Sequence, residues 1–138
     1  MLHAMSVFTA AELAYLRSQR LGRLATLGPD GAPQVRPVGF AVDEATGTID
    51  IIGRDNPSTQ KWRNVVRDGR VGFVVDDLAP GEGWNPRALE VRGHAEVLPD
   101  ATSAAFPGAR PGVIRIHPDR VLACGIEDGS ESRRVTSG

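Results

Sequence analysis

Between Leu21 and Gly53 the chain reads LGRLATLGPDGAPQVRPVGFAVDEATGTIDIIG, three extended runs joined by two short turns. Leu21 to Leu27 alternates apolar and other residues and stops at Gly28-Pro29-Asp30-Gly31. Proline presets φ for the turn, and Gly31 supplies a left-handed position. Pro33 to Val42 returns, Asp43-Glu44-Ala45-Thr46-Gly47 turns again, and Thr48 to Gly53 is the third run. Turns this short leave no room for a crossover helix. Consecutive strands must therefore pair antiparallel, which excludes a βαβ architecture for this part of the chain.

The remaining segments fit the same class. TAAELAYLRSQR predicts a first helix, with Thr9 and Glu12 as a capping box and Leu13, Tyr15 and Leu16 as a modest apolar stripe. NPSTQKWRNVVRDG predicts a short second helix, with Asn56 as N-cap, Pro57 at the first helical position and Gly69 as the stop. RVGFVVDD is nearly continuous in apolar residues and predicts a strand buried on both faces. RALEVRGHAEVL alternates strictly. Leu89, Val91, Gly93, Ala95 and Val97 take one face, and Glu90, Arg92, His94 and Glu96 the other. LAPGEGWNP is a loop, and PDATSAAFPGARPG is a connector with room for one helical turn. VIRIHPDRVLACGIE gives one or two final strands, and DGSESRRVTSG reads as a disordered polar tail. Six strands with short helices in 138 residues predict a small barrel, because closing a sheet removes edges that invite pairing. The whole chain, 1–138, is expected to be one domain, with 1–8 and 128–138 as disordered tails.

Composition narrows function. A net charge of −1 gives no electrostatic case for nucleic acid or an anionic membrane. A single cysteine excludes an internal disulfide. The N-terminus carries no basic region followed by a long apolar run, and no apolar run approaches the ~18 residues of a membrane span. The expected compartment is the cytoplasm.

Of 16 Lys and Arg residues only Lys61 is lysine. On a helix at about 100° per residue, Trp62, Val65 and Val66 face the core, and Gln60, Lys61 and Asn64 flank that stripe. Ser58 and Thr59 bring hydroxyls and free backbone N–H groups to the helix start. A helix N-terminus with hydroxyls and a nearby cation suits an anion. Lysine is a compact charge on a flexible stem, and Arg54 just upstream can add a bidentate clamp. An ordinary solvated lysine is the competing interpretation. A second clue is PQVRPVGF, where Arg36 stands among apolar residues with Pro37 and Gly39 following. Proline in a strand marks an edge, and glycine often marks close approach of a ligand. Such a strand can offer free N–H and C=O groups to a flat heterocycle.

These segments in this order resemble the pyridoxamine-phosphate-oxidase-like flavin-binding split β-barrel family. They are GRLATLGPDGAPQVRPVGF, IDIIGRDNPSTQKWRNVVRDGRVGFVVDD and RALEVRGHAEVL, within residues 6 to 126. The ending IRIHPDRVLACGIE is most similar to the actinobacterial branch that depends on the deazaflavin coenzyme F420. The resemblance implies a mainly β, six-stranded antiparallel split barrel, homodimeric, with cofactor in clefts between two barrels. It implies that Lys61, with Ser58 or Thr59 and Arg54, holds the cofactor phosphate. Val35, Arg36, Pro37 and Val38, with Ile51, Ile52 and Gly53, would line the ring, largely through backbone. Gln60 and Asn64 would lie near the phosphate or ribityl chain, and Trp84 and Arg87 would reach the partner subunit's cofactor. Cys124 stands where the branch often carries Trp, which implies a more open pocket wall.

The implied activity is hydride transfer from reduced F420 to an activated C=C or C=N bond of a small organic substrate. In such proteins the cofactor carries the chemistry and the protein orients and shields it. Arg36, Arg63 and Arg87 can attract a polyglutamate tail, which favours F420. The alternatives are FMN on the same fold, as a flavin reductase or oxidase, and a non-enzymatic cofactor carrier. No catalytic dyad stands out. His3 reads as inert, His94 as a surface or dimer-rim residue and His117 as structural. Three scattered histidines and one cysteine do not make a metal site. Cys124 is expected to be a buried small hydrophobe, Trp62 core, and Asp76, Asp77 and Arg92 solvated strand positions. Trp84 is open between covering a ring and anchoring a dimer.

Overall fold

A computed structural model describes residues 7–127 and 130–135. The elements run α1 (Ala10–Ser18), β1 (Leu21–Leu27), β2 (Pro33–Asp43), β3 (Thr48–Ile52), a 3-10 turn (Asn56–Ser58), α2 (Gln60–Arg67), β4 (Arg70–Leu78), β5 (Pro86–Leu98), β6 (Val113–Cys124) and β7 (Ser130–Arg134). The strands form one antiparallel sheet in the order β3-β2-β1-β4-β5-β6-β7. β3 also pairs with β6, Ile49 to Ile51 against Ile116 to Ile114, and closes six strands into a barrel. β5 takes one edge of β6 along its length, and the other edge is shared between β3 and β7.

Strand alternation fills the barrel. Leu24, Ile49, Ile51, Phe73, Val75, Leu89, Val91, Ile114 and Ile116 point inward and are buried. Helix α1 covers the core with Leu13, Tyr15 and Leu16, and α2 does so with Trp62 and Val65. The capping box of α1 forms as its sequence predicts: Thr9 Oγ1 accepts from the Glu12 N–H, and Glu12 Oε1 accepts from the Thr9 N–H. Among the described residues no helix is long and apolar enough to cross a membrane.

Several expectations are corrected. β4 alternates buried and half-exposed residues instead of being buried on both faces, because a one-layer barrel has a single inside. Asn56 and Pro57 belong to the 3-10 turn, and the N-cap of α2 is Thr59, whose hydroxyl accepts from the Trp62 N–H. Val66 points to solvent. The connector at 99–112 is turns without a helix, and the segment after it is one strand, β6.

The polar tail is also not all tail. Residues 130–134 pair with β6 as β7, and Arg133 forms an ion pair with the buried Glu12. At the other end Phe8 is core. The rest of the expected tails, 1–6, 128–129 and 136–138 and with them His3, lies outside the described residues. Cys124 is exposed, because at the end of β6 it turns to the outer face of the barrel.

Candidate functional site

The barrel is split beside β2. β1 pairs with β2 from Pro33 to Gly39, but β3 begins to pair only at Gly39. Residues 33–38 thus have one edge not taken by a strand. Pro33 and Pro37 fit this edge, since proline has no N–H to give a ladder. Alternation then turns Val35 toward the outer face, where it is 60% exposed, and Val38 into the core. Gln34 and Arg36 share the parity of Val38 and face α2.

Helix α2 packs against β5 and β1 and reaches β2 through its side chains. Asn64 is fully buried, and its Nδ2 donates to Gln34 Oε1 on β2 at 2.8 Å and to Thr26 Oγ1 on β1 at 3.0 Å. Its Oδ1 accepts from Gln60 Nε2 and Arg67 Nη2. Lys61 stands one turn earlier on the same helix. Burial, and then the charge of Arg36, hold its ammonium below the ordinary pKa of 10.5. Among the described residues no carboxylate forms an ion pair with Lys61, Arg36 or Arg54. A half-buried ammonium beside a guanidinium, with no counter-ion among the described residues, suits an anion.

The first turn of α2 adds donors. The Ser58 and Thr59 N–H groups bond within the 3-10 turn, and that of Trp62 goes to Thr59 Oγ1. The Gln60 and Lys61 N–H groups have no partner among the described residues, as expected of a helix start. The predicted hydroxyl donors are otherwise engaged. Ser58 Oγ donates to Asp55 O and Thr59 Oγ1 to Asn56 O, so both close the turn that aims the helix.

Of the remaining predicted residues, Ile51 is buried in the core, stands between Phe40 on β2 and Ile114 on β6, and gives its carbonyl to Asn56 Nδ2, so it is not open to a ligand; Ile52 is half-buried. Gly53 is held against Asn56: a Cβ there would lie 2.6 Å from Asn56 Oδ1. Asn56 Nδ2 staples β3 to the connector through Ile51 O and Gly112 O, while its Oδ1 is buried without a partner. Arg54 is exposed beyond β3, and its carbonyl accepts from the Arg110 N–H. Arg110 was not legible as a neighbour of this site, since 56 residues separate the two.

Trp84 is 78% exposed on the Gly-rich loop, far from ordinary core behaviour. Arg87 is committed within the chain. It pairs with Asp77 at 2.6 and 2.9 Å and lies over the Tyr15 ring at 5.1 Å. Asp77, expected to be solvated, also accepts from Tyr15 Oη and Gln19 Nε2. Asp76 pairs with Arg23, and Arg92 with Glu90. His94 pairs with Asp119 and His117 with Glu96, both on the outer face.

A phosphate-bearing flat cofactor fits these observations: unpaired cations and two free N–H groups for the anion, and an open strand edge for the ring. The closed six-stranded barrel, split beside β2 and flanked by α2, defines a split β-barrel of the flavin-binding kind. Residues 8–124 match the pyridoxamine 5'-phosphate oxidase family, and the chain belongs to it. It is 42% identical over 134 residues to a 5a,11a-dehydrotetracycline/5a,11a-dehydrooxytetracycline reductase of Streptomyces rimosus, covering 94% of each chain. Among solved structures it is similar to a conserved hypothetical protein of Mycobacterium tuberculosis, with TM-score 0.66, 25% identity and 92% and 91% of the two chains covered. An F420 reductase matches with TM-score 0.53 and 28% identity, over 72% of this chain and 86% of the other.

Proposed function

We propose that this protein is an oxidoreductase of the pyridoxamine 5'-phosphate oxidase class that uses reduced coenzyme F420 to reduce a small organic substrate. The observation that carries the reading is Lys61, a half-buried ammonium with no carboxylate partner among the described residues, set beside Arg36 of β2. The reductase relative and the F420 reductase neighbour support the choice of reaction and of cofactor.

When bound, the reduced deazaflavin supplies a hydride to an activated C=C or C=N bond. Lys61, Arg36 and Arg54 would neutralise its phosphate, and the Gln60 and Lys61 N–H groups would donate to it. The carbonyls of Pro33, Val35 and Pro37 and the Val35 N–H, which alternation turns away from β1, would orient the ring edge. No side chain of the open edge is an acid–base dyad, and the balancing proton is assigned to water.

The active form is a homodimer whose contact face is the outer side of the sheet. Pro37, Arg23, Val74, Glu90, Leu122 and Ser132 stand opposite one another across six strands on that side. Val74, Ala88 and Leu122 floor an open groove of about 360 Å³ there, rimmed by Glu90 and Glu131. Burying this face would bring the exposed Val35 and Trp84 out of water and shield the ring.

The test is fluorescence titration with F420 and, separately, FMN. Tight F420 and weak FMN binding are expected. Preference for FMN would make the protein a flavin enzyme of the same fold, and binding neither would overturn the cofactor site.

A further inference from the structure

Two separate pieces of the chain must cooperate in the site just proposed: the cationic start of α2 and the open edge of β2. They come from different elements, and α2 is only eight residues long, too short to hold its place by helix propensity. Its apolar anchors, Trp62 and Val65, fix its depth in the core. Arg67 Nη2 donates to Leu27 O at 2.6 Å and ties the C-terminal end of α2 to β1. Asn64 Nδ2 to Thr26 Oγ1 also reaches β1. Among the described residues, the side-chain hydrogen bond that reaches β2 itself is Asn64 Nδ2 to Gln34 Oε1, at 2.8 Å.

We propose that the Asn64–Gln34 hydrogen bond is a tether that sets the distance between the phosphate-holding and ring-holding halves of the site. This rests on the cofactor reading above and adds two positioning residues to it. Both act without touching the ligand. The amide of Asn64 is filled by four bonds inside the chain, so it has nothing left to offer a cofactor. Gln34 lies two residues before Arg36 on the same face of β2, so its position sets that of the second cation. Lys61 is three residues before Asn64, one helical turn away. The bond thus joins the cation pair across the split.

A ligand that occupies both halves gains from their fixed separation, because the second contact is made at high effective concentration. A ligand that occupies one half gains nothing from it. This difference separates a tether from a residue that merely stabilises the fold or touches the ring.

The experiment uses Gln34→Met, which keeps the volume and removes the acceptor. Gln34→Ser serves as a second variant with the same expected result, and because Gln34 is exposed, both should fold. Affinity is measured for F420 and for its deazaflavin core lacking the phosphate and tail. F420 should bind about three- to tenfold more weakly to either variant, the worth of one net hydrogen bond. The phosphate-free core should change less than twofold. Equal weakening of both ligands would overturn the tether, since it would place Gln34 against the ring, and so would unchanged F420 affinity. The unaltered protein is titrated alongside; its failure to bind F420 would overturn the cofactor reading itself, a different result from failure of the tether.

Discussion

Lys61 carries a cost in the free protein that the proposed anion site would explain. Its pKa lies below that of an unfolded lysine, so the fold disfavours the charged form. Below the lowered pKa that penalty is fully present, and it is relieved as pH rises through the lowered pKa toward the ordinary one. Lys61→Met should therefore raise the thermal midpoint of the cofactor-free protein while weakening cofactor binding, a split that calorimetry and titration read separately. Lys61→Ala should weaken cofactor binding by about 1.5–3 kcal/mol, the scale of a charge-assisted hydrogen bond. Affinity should also fall with rising pH earlier than an ordinary lysine would allow. A pH-independent affinity between neutrality and pH 10.5 would remove Lys61 from the anion site.

Two strands and a helix end show how elements depend on distant partners. Glu12 caps α1 and is fully buried, and both of its carboxylate oxygens accept from Arg133 on β7. Burial alone would push its pKa up; the bonds from Arg133 and the Thr9 N–H outweigh this and hold it below the ordinary 4.5. Its contribution is present above the ordinary value and is lost as pH falls through the lowered one. Arg133→Ala should cost about 3 kcal/mol, because it strands a buried carboxylate. Chemical denaturation measures this, and a loss of only a few tenths would make β7 an ornament of the barrel. In β5, a Cβ at Gly93 would sit 2.2 Å from His117 O, beside the irregularity between Arg92 and Gly93. Gly93→Ala should break the β5–β6 register and lower the yield of folded protein.

At the scale of the molecule, the proposed dimer would make the outer face part of the site. It carries the exposed Val35 and the half-buried Val74 and Leu122 where a monomer would be expected to place polar residues. A dimer through this face should bury about 2,000 Å² or more. Light scattering should give twice the chain mass, and Leu122→Arg should yield monomers that bind cofactor weakly. Monomers with unchanged affinity would confine the site to one chain.

The meander of β1 to β3, the alternation of β5 and the capping box of α1 were all legible, because each depends on residues within a few positions of one another. Lys61 stands out at its helix start as an anion-binding candidate, but that Arg36, 25 residues away, lies beside it is decided by the fold. The rest depends on contacts between residues far apart in sequence. DGSESRRVTSG is polar by composition, and only the unoccupied half of the β6 edge makes part of it a strand. Asn64 reads as a flank of the helix stripe, but Thr26 and Gln34, 38 and 30 residues away, turn it inward. Arg87 looks free until Asp77 and Tyr15 claim it, and Cys124 looks buried until the end of β6 faces it out. Local periodicity and turn chemistry fix which segments are strands and helices. Which polar groups are left unpaired, and therefore available to a ligand, is decided only when the barrel closes.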